Sequence, residues 1–381
     1  MPITARVLPA SRRRPRRRPV LRRVLGGALV LALVAAGGAL TWRVAGPSPS
    51  GTWESLDGTD RAMFAELSAQ YETAAAQPGR VWTDDFHYED QPFLLLRTTG
   101  PKSPGWQYAF LVNMSDVVDT SGMRAVSLPG MPLLDDVRVS KAFGLTEPLL
   151  HFPSDFTPVE IGGTSLQAFK FHPEMFDLQA PRNADFRHFS AHEHFHLAVQ
   201  GVDPEAESSW KYDDGGYLDP VPASREYERL LRAELAALDQ AREARDASAA
   251  QAAASDAVRL RLARQATWPE LRAQDGIETV EGAATYFEAR INGEEVLDDG
   301  PSLIAVVDLN GDSILDRDLY YWTGASIGGT LDVLRPAWKS ELGATAASGD
   351  GPTLFDLLRQ ATGVTEAPEP SVVDDLVNAY A

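Results

Sequence analysis

Residues 192–196 read His-Glu-His-Phe-His, and this pentapeptide constrains the chain more than any other stretch. Side chains four apart on an α-helix lie one above the other, so His192 and His196 can turn both imidazoles toward one ion. Glu193 falls off that seam, close enough to handle a water on the ion without ligating it. Two imidazoles leave a catalytic zinc site one protein ligand short. The fold must therefore carry a third donor to this helix from elsewhere. Ala191, Phe195, Leu197 and Ala198 bear no charge, as a buried active-site helix requires. The chain has no cysteine, which excludes disulfides, thiolate nucleophiles and Cys-ligated zinc together.

Candidates for the third donor lie in ETVEGAATYFEAR (278–290). This stretch resembles the third-ligand helix of the gluzincins, HExxH metallopeptidases completed by a distal glutamate, whose aminopeptidase branch reads much like E-G-x-A-x-Y-F-E. Glu281 falls on the ligand position, Gly282 follows it, and Ala284, Tyr286, Phe287 and Glu288 continue the pattern. The resemblance implies Zn(2+) held by His192, His196 and Glu281, with Glu193 as general base and acid, and a peptide or protein as substrate. It also implies an α+β, zincin-like catalytic domain, with a strand-rich N-terminal half, an active-site helix and a mostly helical C-terminal half. Glu278, one turn before Glu281, is the rival ligand; otherwise Glu278 and Glu288 fall beside the ligands or at the surface. The resemblance covers two helices. Here 84 residues separate His196 from Glu281, more than in the aminopeptidases, and no G-x-M-E-N-like segment is present to grip a free amino terminus. In zincins a substrate strand pairs with a sheet edge above the metal helix, and SLQAFKFH (165–172) is a candidate for that edge.

Hydrolysis needs a donor for the developing oxyanion. Tyr286, Tyr320 and Tyr321 are candidates, with an aromatic core role for Tyr286 as the alternative. The run after the tyrosine pair, TGASIGGTLDVL, reads as a tight loop opening a packed helix. Four of the seven histidines fall between 188 and 196. His188 can extend the stripe toward metal buffering, while His194 points off the seam. A non-catalytic scaffold that keeps a structural zinc is the reading from another class. DLNGDSILDRD (308–318) starts like a calcium loop, with Asp308, Asn310, Asp312 and Asp316 at positions 1, 3, 5 and 9. It lacks the turn glycine and the closing acid, which makes a solvated acidic turn the better description.

The rest of the sequence sets the organisation. Residues 1–43 hold ten of the 35 basic residues and no acid, which leaves 25 basic against 54 acidic residues beyond them, a net charge of −29. A body this acidic repels nucleic acid. Residues 1–23 read as an Arg-rich cytoplasmic tail and 24–42, uncharged, as an uncleaved transmembrane signal-anchor contacting the lipid bilayer. That order places everything after Arg43 in the periplasm or outside the cell. A linker (43–53) leads to the strand-rich half with the HExxH helix (54–220). A helical hairpin insertion (221–273), joined near Asp246–Asp256, and a helical half with the third ligand (274–381) follow. Within the strand-rich half, QPFLLLRTT (91–99), WQYAFLVNM (106–114) and SLQAFKFH are expected strands, and apolar spacing predicts a helix over 54–76.

Overall fold

A computed structural model describes residues 48–201, 209–212, 224–295, 303, 317–346, 348–349 and 351–380. The chain divides between Pro47 and Ser48, and the second unit is the one described. The apolar stretch 24–42 lies outside the described residues, and no described helix is long and apolar enough to cross a membrane. The expectation of a single-pass protein with an extracytoplasmic domain is corrected accordingly and carried no further. Asp308, Asn310, Asp312 and Asp316 also lie outside the described residues.

The unit is mixed α/β. Helix α1 (Gly58–Ala76) opens on a capping box, in which Asp57 accepts from the Asp60 N–H and the Asp60 carboxylate answers the Asp57 N–H. Six strands follow: β1 (Phe93–Arg97), β2 (Ala109–Val112), β3 (Arg124–Ala125), β4 (Val137–Ser140), β5 (Phe156–Ile161) and β6 (Thr164–Phe171). They form one sheet in the order β3-β4-β2-β1-β6-β5, antiparallel except where β1 runs parallel to β6. The central strand β1, FLLLR, is buried at every position, because both faces of the sheet are covered. Phe93, Leu95, Phe110 and Phe169 face the main core, while Leu94, Leu96, Leu111 and Ala168 join a smaller cluster with Trp106 and Leu150. A run without polar alternation is what such a doubly covered strand needs.

SLQAFKFH is not an edge. It forms β6, hydrogen-bonded on both sides, and its Lys170 is buried because Nζ donates to the carbonyls of Ser103 (2.8 Å) and Phe152 (2.5 Å). The edge is β5. The Lys170 N–H bonds to the Asp155 carbonyl, and this fixes the alternation along the ladder. Thr157, Val159 and Ile161 pair with β6, whereas Phe156, Pro158 and Glu160 turn their backbone outward.

After the sheet come α2 (Phe186–Phe195), α3 (Arg225–Glu243), α4 (Ala247–Thr267), α5 (Gln274–Ile291), α6 (Arg317–Leu334), α7 (Trp338–Ala346), α8 (Leu354–Thr362) and α9 (Pro370–Ala379). The hairpin α3–α4 turns at Ala244–Asp246, earlier than expected. Asp246 caps the N–H groups of Ser248 and Ala249, so the alanine-rich stretch behind it is already helical. TGASIGGTLDVL is no loop but the body of α6. Its glycines serve contact: a methyl group on Gly324 would overlap the Glu278 carbonyl oxygen and come within 2.7 Å of Gly282 Cα. Helices α5 and α6 therefore meet backbone to backbone, one residue from Glu281.

Candidate metal centre

Helix α2 starts at Asp185, whose side chain accepts from the Arg187 and His188 N–H groups. It lies against the main face of the sheet. The His194 ring stacks on Phe93 at 4.2 Å between centroids, and Phe195 packs on Trp82 and Phe287. This packing turns the opposite side of the helix, with His192 and His196, toward α5. From His196 to Gln200 the turn widens to a π-helix, then stops at Gly201 with φ of 74°.

Three donor atoms converge there. His192 Nε2 lies 3.2 Å from His196 Nε2, and Glu281 Oε2 lies 3.3 Å from each. Among the described residues, these three side chains form the group whose ligand atoms lie close enough together to hold one ion. Zinc bonds of about 2.0–2.1 Å at tetrahedral angles place neighbouring ligand atoms about 3.3–3.4 Å apart. The triangle has that edge, and two imidazoles with one carboxylate match a catalytic zinc ligand set.

The outer nitrogens fix what the inner ones present. Gln200 Nε2 donates to the Val280 carbonyl (2.8 Å), so its Oε1 must accept from His196 Nδ1 (2.6 Å). His192 Nδ1 lies 3.2 Å from Glu288 Oε2, which can only accept. With both Nδ1 atoms engaged by outer partners, each Nε2 faces the triangle and can offer a metal its lone pair once any proton on it has left. One extra proton can bridge a single edge of three such atoms, whereas a divalent cation touches all three. The site attracts positive charge: burial alone would lower His192, but the Glu281 and Glu288 carboxylates outweigh it and raise it to about 10, so a metal ion must displace this proton. Burial opposes the charge of Glu281 as well, yet the two imidazoles hold its carboxyl well below the usual range.

Glu193 lines both cavities at the site. The larger, of about 460 Å³, is bounded by His192, Glu288, Tyr321, Trp322 and Arg182. The smaller, of about 270 Å³, is bounded by His196, Glu281, Gln200, Trp210 and the β5 residues Phe156 and Pro158. The tyrosines separate. Tyr321 stacks its ring on His192, centroids 5.5 Å apart and planes within 6°. Tyr286 is turned into the core, where its hydroxyl donates to Asp332 at 2.7 Å and its ring packs on Trp338. Tyr320 is buried beside Tyr227, Arg264 and Glu278. Neither Tyr286 nor Tyr320 is among the residues that line these two cavities, whereas Tyr321 is. Helical geometry explains the split at 320–321: successive residues point about 100° apart.

The other candidates fall elsewhere. His188 sits between Asp185 and Glu294 rather than on the ligand triangle. His194 is fully buried, and burial pushes it down to about 3, a neutral core imidazole. Glu278 neither ligates nor reaches the surface; it is buried against Arg261, one turn from the site. Gln200 and Arg182 carried no signal in the sequence, since neither belongs to the motif. A glutamine four residues past the second histidine is the trace that marks Gln200 in retrospect. No protein-family model, curated protein or solved structure matches this chain.

Proposed function

We propose that the protein is a zinc-dependent hydrolase of peptide bonds, with a zincin-like catalytic unit in which His192, His196 and Glu281 hold the ion. The observation that carries this reading is the triangle of two imidazole nitrogens and one carboxylate oxygen with 3.2–3.3 Å edges. Zinc, when bound, supplies a Lewis acid that acidifies water and polarises a carbonyl.

The chain's own residues would do the rest. Glu193, at the junction of the two cavities, takes the proton of the attacking water and returns it to the leaving amine. Glu288 and Gln200 keep the two imidazoles facing inward. Tyr321, at the wall of the larger cavity, is the donor for the developing oxyanion. An extended substrate is not expected to add to β5 as a full strand. Pro158 has no N–H, and the Phe156 N–H donates to Ser154 Oγ while that hydroxyl donates to the Phe156 carbonyl. The cavity walls, not a backbone ladder, would supply most of the grip.

The test is Glu193→Gln, assayed for zinc content and for cleavage of a mixed peptide library. The expected variant keeps one zinc per chain and loses turnover by about 10²–10⁴-fold, the range for a general acid–base group. Wild-type protein with zinc and no cleavage would leave a structural site instead, and Glu193→Gln would then change nothing.

A further inference from the structure

The carboxylate that steadies His192 is itself held by a residue outside the motif. Glu288 divides its oxygens between two partners: Oε2 lies 3.2 Å from His192 Nδ1, and Oε1 accepts from Arg182 Nε at 2.6 Å. Arg182 belongs to the short turn Arg182–Ala184 ahead of α2. Its guanidinium lies 5.3 Å over the Trp322 ring of α6, and Nη1 donates to Glu294 Oε2 at 3.1 Å. Three segments thus converge on one planar group whose fork fits carboxylates.

The two glutamates depend on Arg182 unequally. Glu294 also accepts from Arg187 Nη2 at 2.9 Å and lies 3.1 Å from His188 Nε2. Among the described residues Glu288 has Arg182 as its arginine partner and His192 on its other oxygen. A glutamate side chain has three rotatable bonds, and burial alone does not choose among their settings. Without the guanidinium, the Oε2 that faces His192 can rotate away, and the imidazole loses the partner that sets its tilt.

We propose that Arg182 is a positioning residue of the metal centre: it locks Glu288, and through Glu288 the plane in which His192 offers Nε2. This inference rests on the metal-centre reading given above. Arg182 touches none of the three donor atoms, so its effect must pass through Glu288.

A thermodynamic cycle tests that route. Zinc affinity of the full chain is measured by competition with a chromophoric chelator, for wild type, Arg182→Gln, Glu288→Gln and the double variant. Losing a partner of a ligating histidine weakens metal binding by about 10–100-fold, and that is the expectation for Glu288→Gln, with about tenfold for Arg182→Gln. In the Glu288→Gln background, Arg182→Gln should add less than about twofold, because residues acting through one another are not additive. Glu294→Gln, which removes the other ion pair of Arg182, should stay within about twofold of wild type on the same reasoning. Should Arg182→Gln fail to fold, Arg182→Lys carries the same expectation, since an ammonium lacks the planar fork. Unchanged affinity in the Arg182 variant, full additivity with Glu288→Gln, or an equal loss in Glu294→Gln would each overturn the inference while leaving the metal centre standing. A wild-type chain that binds no zinc would remove both.

Discussion

Glu278 and Glu281 stand one turn apart on α5, both buried, and have opposite kinds of partner. Glu278 is enclosed by Arg261, whose Nη2 donates at 2.9 Å and whose Nη1 is also in contact, with Thr323 Oγ1 at 2.5 Å and Gln274 Nε2 at 3.3 Å. Arg261 and Arg264 share Glu234 behind it, which ties the hairpin α3–α4 to α5. Glu281 faces the two inward imidazole nitrogens. A buried carboxylate needs an opposing charge. For Glu278 that charge is a permanent part of the chain, so the cluster is structural. For Glu281 the partners named here are imidazoles, whose charge depends on protonation, and this is the group that could hold a metal ion. The same helix therefore carries a fixed anchor and, three residues on, the carboxylate of the candidate metal centre.

Removing the anchor should hurt most. Arg261→Ala leaves Glu278 buried without its arginine, while Glu234 keeps Arg264, at a cost of about 3–5 kcal/mol in urea unfolding. A cost below about 1 kcal/mol would mean that water reaches the cluster and that the contrast is overdrawn. Zinc should act on the other partner. At a thousandfold excess over its dissociation constant it adds about 4 kcal/mol of stability to wild type, and none to Glu281→Ala. If the gain survives in Glu281→Ala, the ion is not where the triangle lies.

Gly324→Ala probes the contact that holds α6 on this turn of α5. Forcing a methyl group against Gly282 and the Glu278 carbonyl should cost roughly 1–3 kcal/mol, and a neutral result would show that the helices can part. The smallest effect concerns Glu66, a carboxyl outside both clusters whose Oε2 is buried without a hydrogen-bond partner. Burial, and after it the Asp185 charge, push it up to about 7. On raising the pH the unfolded chain releases this proton first, so stability declines from pH 4.5 to about 7. Glu66→Gln should thus be neutral at pH 4 and stabilising at pH 8, on the order of 1–2 kcal/mol once screening of a part-exposed group is allowed for. Equal melting shifts at both pH values would contradict the sign.

The ligand pair was legible because a four-residue repeat on a helix is a local property. Glu281 was legible in preference to Glu278 through the match to EGAATYFE alone, since helix geometry puts both on one face. What separates them in the structure is Arg261, a buried arginine of the hairpin, and long charged side chains are rarely buried. Tyr321 could not be told from Tyr320 by adjacency alone. The position of β6 in the sheet was hidden by Lys170, which looks like an exposed residue until the carbonyls that receive it are known. Arg182 lies in a Pro-Arg-Asn turn with no periodicity at all.

The two margins of the sheet have a bearing on how copies of the protein behave toward one another. On one side β3 is two residues long, and the Ser127 N–H and the Arg124 side chain are engaged by the carbonyls of Gly51 and Pro49. On the other, Pro158 and the Ser154 hydroxyl withdraw the donors that a neighbouring strand would seek. Both margins offer a neighbouring strand few free donors, so crowding should do little to drive this sheet toward fibrils while it remains folded.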